Sequence, residues 1–410
     1  LTNAFPDHED IQGPTGLDVA EVISGFSPPG RTVLTTEEEM LPVMREVARE
    51  RDCRVQPVPR AHHELMPRDL LARFRHSEHP ANVALVASLA RELEIPWEEA
   101  VGWMAERVVA DVGALVLHAP VRTEGRRITF AQGQSANDPL SFRHSWRTAG
   151  FEQPCPVGEW RVSVVNNRAD RVARSRMFAG LLADQASAHR HVLIGTNLQG
   201  LRSYLDEAVV ARLARTDLRS TEATERLFAH LRLPEPAALA SVLGERLGIS
   251  DLARVFSPLS APVATLGQAR ELARRVEPAL RAATSGLPAE TASQLQEHLV
   301  EAAARHLALR QALAGSAELR ASLYRELVEA SLVVVEDPKT SGDRIIDRVA
   351  RCAPPGAEIR LIGLQNIKGT GLDFAYRWVE WGQVSAMLAR LGRASVDDRG
   401  PLLGELVSRE

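Results

Sequence analysis

WRVSVVNNRADRVARSRMFA, residues 160–179, decides the class of fold. It opens as a short β-branched strand and runs into NNRADR, a loop of two amides, two arginines and an aspartate. The same pattern recurs in RITFAQGQ (127–134) before SANDP (135–139), in HVLIGTN (191–197) and in EIRLIGLQNIKG (358–369). SLVVVED (331–337) adds a further strand, and LSFRHSWRTAGF (140–151) reads as a helix between two of them. Strands alternating with helices predict an α/β protein with a parallel sheet. In open sheets of that kind ligands gather at the carboxyl ends of the strands. The loops NNRADR, GTN and LQNIKGTG are therefore the places to look for chemistry.

Outward from this region the pattern changes. Residues 216–330 hold few strand candidates and are rich in Ala, Leu, Glu and Arg, with helical periodicity and Pro or Gly between segments. This predicts an all-α insert of four to six helices. Toward the N-terminus, LDVAEVISGF (17–26) reads as a short helix, and TVLT and CRVQPVP as strands. Thr35 or Thr36 is expected to cap the helix TEEEMLPVMREVARERD. ANVALVASLARELEI (81–95) and PWEEAVGWMAERV (96–108) read as two helices, the second started by Pro96.

Composition excludes some classes. The chain has 410 residues and a formal charge of −4, so no global basic field invites nucleic acid. Cys53, Cys155 and Cys352 stand far apart, without metal or CxxC spacing. No apolar run reaches the 18 residues of a membrane span.

Four constellations could carry chemistry. Asn3, Asp7, His8 and Asp10, before Gly13-Pro14-Thr15, suit a divalent cation such as Mg²⁺, or form a solvated acidic segment. In NNRADRVAR, Asn166, Asn167, Arg168, Asp170, Arg171 and Arg174 suit bidentate recognition of a carboxylate or phosphate, or a surface ion-pair network. Asn137 and Asp138 in SANDP suit a ligand, or turn and N-cap chemistry. Asn366 and Lys368 in GLQNIKG suit phosphate or carboxylate contact, or a turn with an exposed Lys. His62, His63, His76 and His79 lack the partners of a zinc site. Tyr376, Trp378 and Trp381 read as a packing stripe. The GxxxxGK[ST] loop that cradles nucleotide phosphates is absent from the chain.

In order and spacing, NAFPDHEDIQGPT, the Asn82 helix, SANDP, VVNNRADRVARSRMFA, HVLIGTN and GLQNIKG resemble the ligase subunit of bacterial poly-γ-glutamate synthase (PgsB/CapB). That family is a branch of the Mur-ligase-like amide ligases. The likeness covers about 1–210 and 331–410. It implies the C-terminal part of a P-loop, Mur-ligase-like ATPase domain at 1–120. It further implies a Rossmann-like domain at 121–215 and 331–410, interrupted by the helical insert at 216–330.

The implied chemistry is ATP-dependent. A carboxylate is phosphorylated to an acyl phosphate, a glutamate amine attacks, and Mg²⁺ neutralises phosphate charge. The resemblance makes His8 metal-associated, supported by Asp7 and Asp10. It puts Asn82 near the adenine and Asn137 and Asp138 toward nucleotide. Asp170, Arg171 and Lys368 become catalytic, with Asn167, Arg168 and Asn366 on the substrate side. Lys368 stands where relatives carry His. Val116 replaces a nucleotide-binding Arg, a loss that Arg122 or Arg126 would have to make good. Glutamate, a polyglutamate acceptor and membrane subunits are the implied partners, on the cytoplasmic side of the membrane.

On this resemblance the chain begins beyond the phosphate loop, and residues 1–410 alone are expected neither to bind ATP tightly nor to turn over. Two other readings stay open. One is a degenerate, non-catalytic ligase homologue acting as a binding or scaffold subunit. The other is a Mur-like ligase for a different amino acid.

Overall fold

A computed structural model describes residues 1–6, 9–74, 76, 78–108, 113–256 and 262–393. The chain divides into two units, Leu1–Val116 and Leu117–Glu410.

The first unit contains a βαβ turn of chain. Strand β1 (Thr32–Thr35) pairs in parallel with β2 (Arg54–Pro57), and the helix Leu41–Glu50 crosses between them. That helix begins five residues beyond Thr36, so neither Thr35 nor Thr36 caps it. Glu37 takes the turn before the helix instead: its Oε1 accepts from Glu39 N at 2.8 Å and Met40 N at 3.1 Å. Pro42 then opens the helix with a preset φ and no N–H to satisfy. The preceding helix, Gly16–Gly25, has a full capping box between Thr15 and Asp18. Met44, Val19 and Ala20 form one small core, and Phe74, Val83, Val101 and Ala105 another.

The second unit is a mixed α/β body on a largely parallel sheet. Its strands are β3 (Val121–Thr123), β4 (Arg126–Gln132), β5 (Glu159–Asn167), β6 (Arg190–Gly195), β7 (Leu332–Val334) and β8 (Glu358–Leu364). The order β4–β8–β5–β6–β7 is parallel throughout, and β3 is antiparallel to β4. The last strand in sequence thus enters between the first two long ones, and β5 is flanked on both sides. Eight of its nine residues are buried, as expected where helices cover both faces.

Side chains alternate across β5. Trp160, Val162 and Val164 face a core that also holds Leu243, Leu295 and Leu299 from the helical segment, with Ile345, Ile346 and Trp378. Arg161 points the other way, toward Phe151 and the stacked pair Phe142 and Trp146. Helices between Thr221 and Ser331 therefore share one core with the sheet. Arg126 helps to join them: it is 1% exposed and donates to Ala353 O at 2.9 Å and Gln294 Oε1 at 2.7 Å. With its donors held inside the second unit, Arg126 is not free to replace a nucleotide-binding arginine. No described helix is long and apolar enough to cross a membrane.

Candidate functional site

The carboxyl ends of β5, β6 and β8 converge because the strands are neighbours and parallel. Two buried amides end β5. Asn166 Nδ2 donates to the carbonyls of Asn366 and Lys368, each at 2.8 Å, and Asn366 Nδ2 returns a bond to Asn166 O at 2.9 Å. Asn167 works on the other neighbour. Its Nδ2 donates to Thr196 O at 2.8 Å and Asn197 O at 3.2 Å. Its Oδ1 accepts from Gln365 Nε2 at 2.8 Å and Ser175 Oγ at 2.7 Å. The amide thus uses two donors and two acceptor positions, its full capacity. Three loops are stitched together by Asn166, Asn167 and Asn366.

Backbone geometry fits this clasp. Gly195 has φ +95°, and a Cβ there would meet Asn167 O at 2.2 Å and Asn166 Oδ1 at 2.6 Å. A Cβ at Gly371 would meet Asn166 Nδ2 at 2.4 Å. Only glycine allows so close an approach.

The stitched loops present charge. Arg168 grips Asp170 with two bonds, 3.0 and 2.6 Å, and Arg171 Nε lies 3.8 Å from the same carboxylate. Slight burial pushes the Asp170 carboxyl up, but the Arg168 charge, a backbone N–H and Arg171 more than offset this and hold it below its usual value. Arg174 donates to Asn366 Oδ1 at 2.6 Å. Lys368 is exposed; its carbonyl, rather than its ammonium, joins the clasp. Arg168 and Arg171 lie at Asp170, and Arg174 and Lys368 belong to the same stitched segments, so cations outnumber the one aspartate, as suits a carboxylate or phosphate.

The structure thus brings together Asn167, Arg168, Asp170, Arg171, Asn366 and Lys368. Other expected residues stand differently. Asp138 caps the helix Pro139–Thr148, accepting from Leu140 N at 2.8 Å and Ser141 N at 3.0 Å, and Asn137 beside it is half-buried. Asn82 belongs to the first unit, where Nδ2 donates to Glu78 Oε1 at 2.9 Å. Asp7 and His8 lie outside the described residues, as does the side chain of Asp10. Among the described residues no group of three His, Cys, Asp or Glu side chains could hold a metal ion.

Two residues at this edge lie in stretches the sequence marks, Gln134 at the end of RITFAQGQ and Gln365 in GLQNIKG, without being expected as site residues. Gln134 and Gln365 are 1% and 0% exposed, and among the described residues both amide atoms of Gln134 and Oε1 of Gln365 have no partner. Gln365 also has φ +79°, and the Gln134 amide lies against Gly363 of β8. Buried amides without partners are costly and call for an explanation at this edge. Their signal is a simple one: each is a Gln within two residues of the end of an apolar strand.

Residues 118–246 match the family model of the poly-gamma-glutamate synthase CapB C-terminal domain. The chain is 28% identical over 210 residues to the capsule biosynthesis protein CapB of Bacillus anthracis, covering 50% of this chain and 43% of that protein. It is 26% identical over 213 residues to PGA synthase CapB of Bacillus subtilis (strain 168), covering 51% and 52%. The chain thus spans about half the length of the curated relatives it matches. No solved structure matches.

Proposed function

We propose that this chain, a member of the poly-γ-glutamate synthase CapB family over its matched half, presents the glutamate-binding face of an ATP-dependent amide ligase. The observation that carries this is the pair of buried asparagines, Asn166 and Asn167, holding the Arg168–Asp170–Arg171 loop against the Asn366–Lys368 loop.

In this reaction class the ammonium first gives one proton to water and the free amine attacks an acyl phosphate: a C–N bond forms, the C–O bond to phosphate breaks, and the second proton leaves to the departing phosphate. Arg168 and Arg171 bind a glutamate carboxylate, and fixed guanidiniums do so with little reorganisation. Asp170, ionised, orients them and accepts from a glutamate ammonium. Lys368 adds a positive charge to the opposite rim. Freezing three loops through buried amides is the positioning that such chemistry needs. Gln134 and Gln365 have donors and acceptors for a bound group at the same edge.

The ATP and Mg²⁺ of such a reaction are a different matter. Among the described residues there is no metal cluster, Asn82 is engaged by Glu78, and the chain has no Gly-Lys-Ser/Thr loop. The residues expected at the metal, Asp7, His8 and the side chain of Asp10, lie outside the described residues, and the described residues support the amino-acid side of the reaction. We place the protein with membrane subunits of such a synthase, on the cytoplasmic side of the membrane.

A non-catalytic binding subunit is the second reading. The structural engagement of Asn82 and Asp138 favours it. The natural full-length protein, given ATP, Mg²⁺ and glutamate, separates the two. Glutamate-dependent ADP release with new amide bonds supports the ligase, and glutamate binding without ADP release supports the binding subunit. A product built from another amino acid would mark a ligase of different specificity.

A further inference from the structure

At the opposite end of the strands, about 17 Å from Asn167 along the strand direction, lies a cavity of about 870 Å³. The first residue of β6, Arg190, lines it together with Val333 of β7, the helix Gly342–Ala350 and the turn after it, and five helical segments of the 216–330 region. Seven arginines line it against three glutamates, in a chain whose formal charge is −4.

Some of these charges are already matched. Glu301 holds Arg270 with two bonds, 2.8 and 2.9 Å, and Arg305 at 2.7 Å, so one carboxylate serves two guanidiniums. Arg190 donates to Ala330 O at 2.8 Å, a neutral partner. The side chains of Arg274 and Arg348 are exposed and make no hydrogen bond or ion pair among the described residues. The cavity therefore carries unmatched positive charge contributed by separate segments rather than focused by one loop.

The lining also says what kind of anion fits. It contains no Phe, Tyr or Trp to stack a base, and no Gly to let backbone amides cradle a phosphate. Dispersed guanidinium forks instead suit several carboxylates along one chain.

We propose that this cavity is a second binding site, for an acidic chain of consecutive carboxylates, separate from the loops at the carboxyl ends. That the chain is the polyglutamate of the ligase reaction rests on the function proposed above; the charge and size of the cavity do not.

The test is fluorescence anisotropy of the purified 410-residue chain with a fluorescein-labelled γ-linked octaglutamate. Binding is expected to weaken with salt, to exceed that of free glutamate, and to fall about tenfold in the double variant Arg274→Gln/Arg348→Gln. Neither side chain has a partner to lose, and melting curves are expected to stay unchanged. Arg226→Gln, at an exposed arginine of the helix Thr221–Ala229 outside the cavity, is expected to leave this binding intact. Undiminished binding in the double variant overturns the site. So does loss in Arg168→Gln alone, which would seat the polymer at the carboxyl-end loops and leave the proposed ligase standing. Displacement of the octamer by ATP at equal concentration overturns the preference for carboxylates. If the double variant loses the octamer while the natural protein makes no amide bonds, the site stands and the ligase fails.

Discussion

Asn166 and Asn366 lie 200 residues apart and hold each other. The amide of Asn166 donates to the Asn366 carbonyl at 2.8 Å, and the amide of Asn366 donates to the Asn166 carbonyl at 2.9 Å. The end of β5 and the loop after β8 therefore move as one piece. Both residues are buried, and reciprocal buried hydrogen bonds of this kind rigidify what they join.

Asn166→Ala removes the two donated bonds and strands the carbonyls of Asn366 and Lys368. The expected loss is about 2–3 kcal/mol, read as a lower unfolding midpoint in urea. Asn166→Asp is expected to be worse, since it turns acceptors toward two carbonyls. A midpoint unchanged in both variants would contradict the clasp.

Gly195 and Gly180 make a paired test of backbone space. Gly195→Ala forces a Cβ to 2.2 Å from Asn167 O at φ +95° and is expected to destabilise by more than about 2 kcal/mol. Gly180 sits in the helix Val172–Asp184, and no neighbouring atom lies within 4 Å of the place a Cβ would take. Gly180→Ala is expected to be neutral or to stabilise by up to about 1 kcal/mol. Equal melting temperatures for the two variants would contradict this account.

Acid sensitivity follows from buried histidines. Burial, with the nearby His230 charge, lowers His191 to about 3. Burial, with the Arg212 charge, lowers His230 to about 4. Burial also lowers His189, with neighbouring arginines adding to it. Their unfolded values are near 6.5, so between about 4 and 6.5 the unfolded chain binds more protons than the folded one. Stability is fully present above about pH 6.5 and is lost as pH falls, at up to roughly 1.4 kcal/mol per pH unit for each histidine. Urea midpoints at pH 7.5 and pH 5 check this. A midpoint that holds or rises at pH 5 would show these histidines charged in the folded protein.

Much of the second unit is legible in the sequence. The β-branched runs ending in amide or glycine loops mark parallel strands whose carboxyl ends carry NNRADR and LQNIK. What the pattern does not contain is strand order. Nothing local says that β8 enters between β4 and β5, and only that insertion sets Asn366 against Asn166. The cap before the helix Leu41–Glu50 departs from the threonine pattern for a local reason: Glu37 folds back on its own turn, and the threonines before it belong to β1 and its end. SANDP shows the opposite ambiguity. Its Asp138 is good N-cap chemistry and acts as a cap, so a polar loop at the right edge is no guide to a ligand contact. The arginine-lined cavity is invisible in the sequence because its residues come from distant segments, each an ordinary basic position on a helix or strand end.

The central claim rests on Arg168 and Asp170, a pair with side chains 27% and 57% exposed. Such a pair adds at most about 1 kcal/mol to stability, so its replacement separates chemistry from folding. The deciding measurement is ATP-dependent incorporation of radiolabelled glutamate into amide product by the natural full-length protein and its Arg168→Gln and Asp170→Asn variants. The account predicts incorporation by the unaltered protein and a fall of about a hundredfold in each variant with melting temperatures kept. Incorporation within twofold of the unaltered protein in both variants would contradict it.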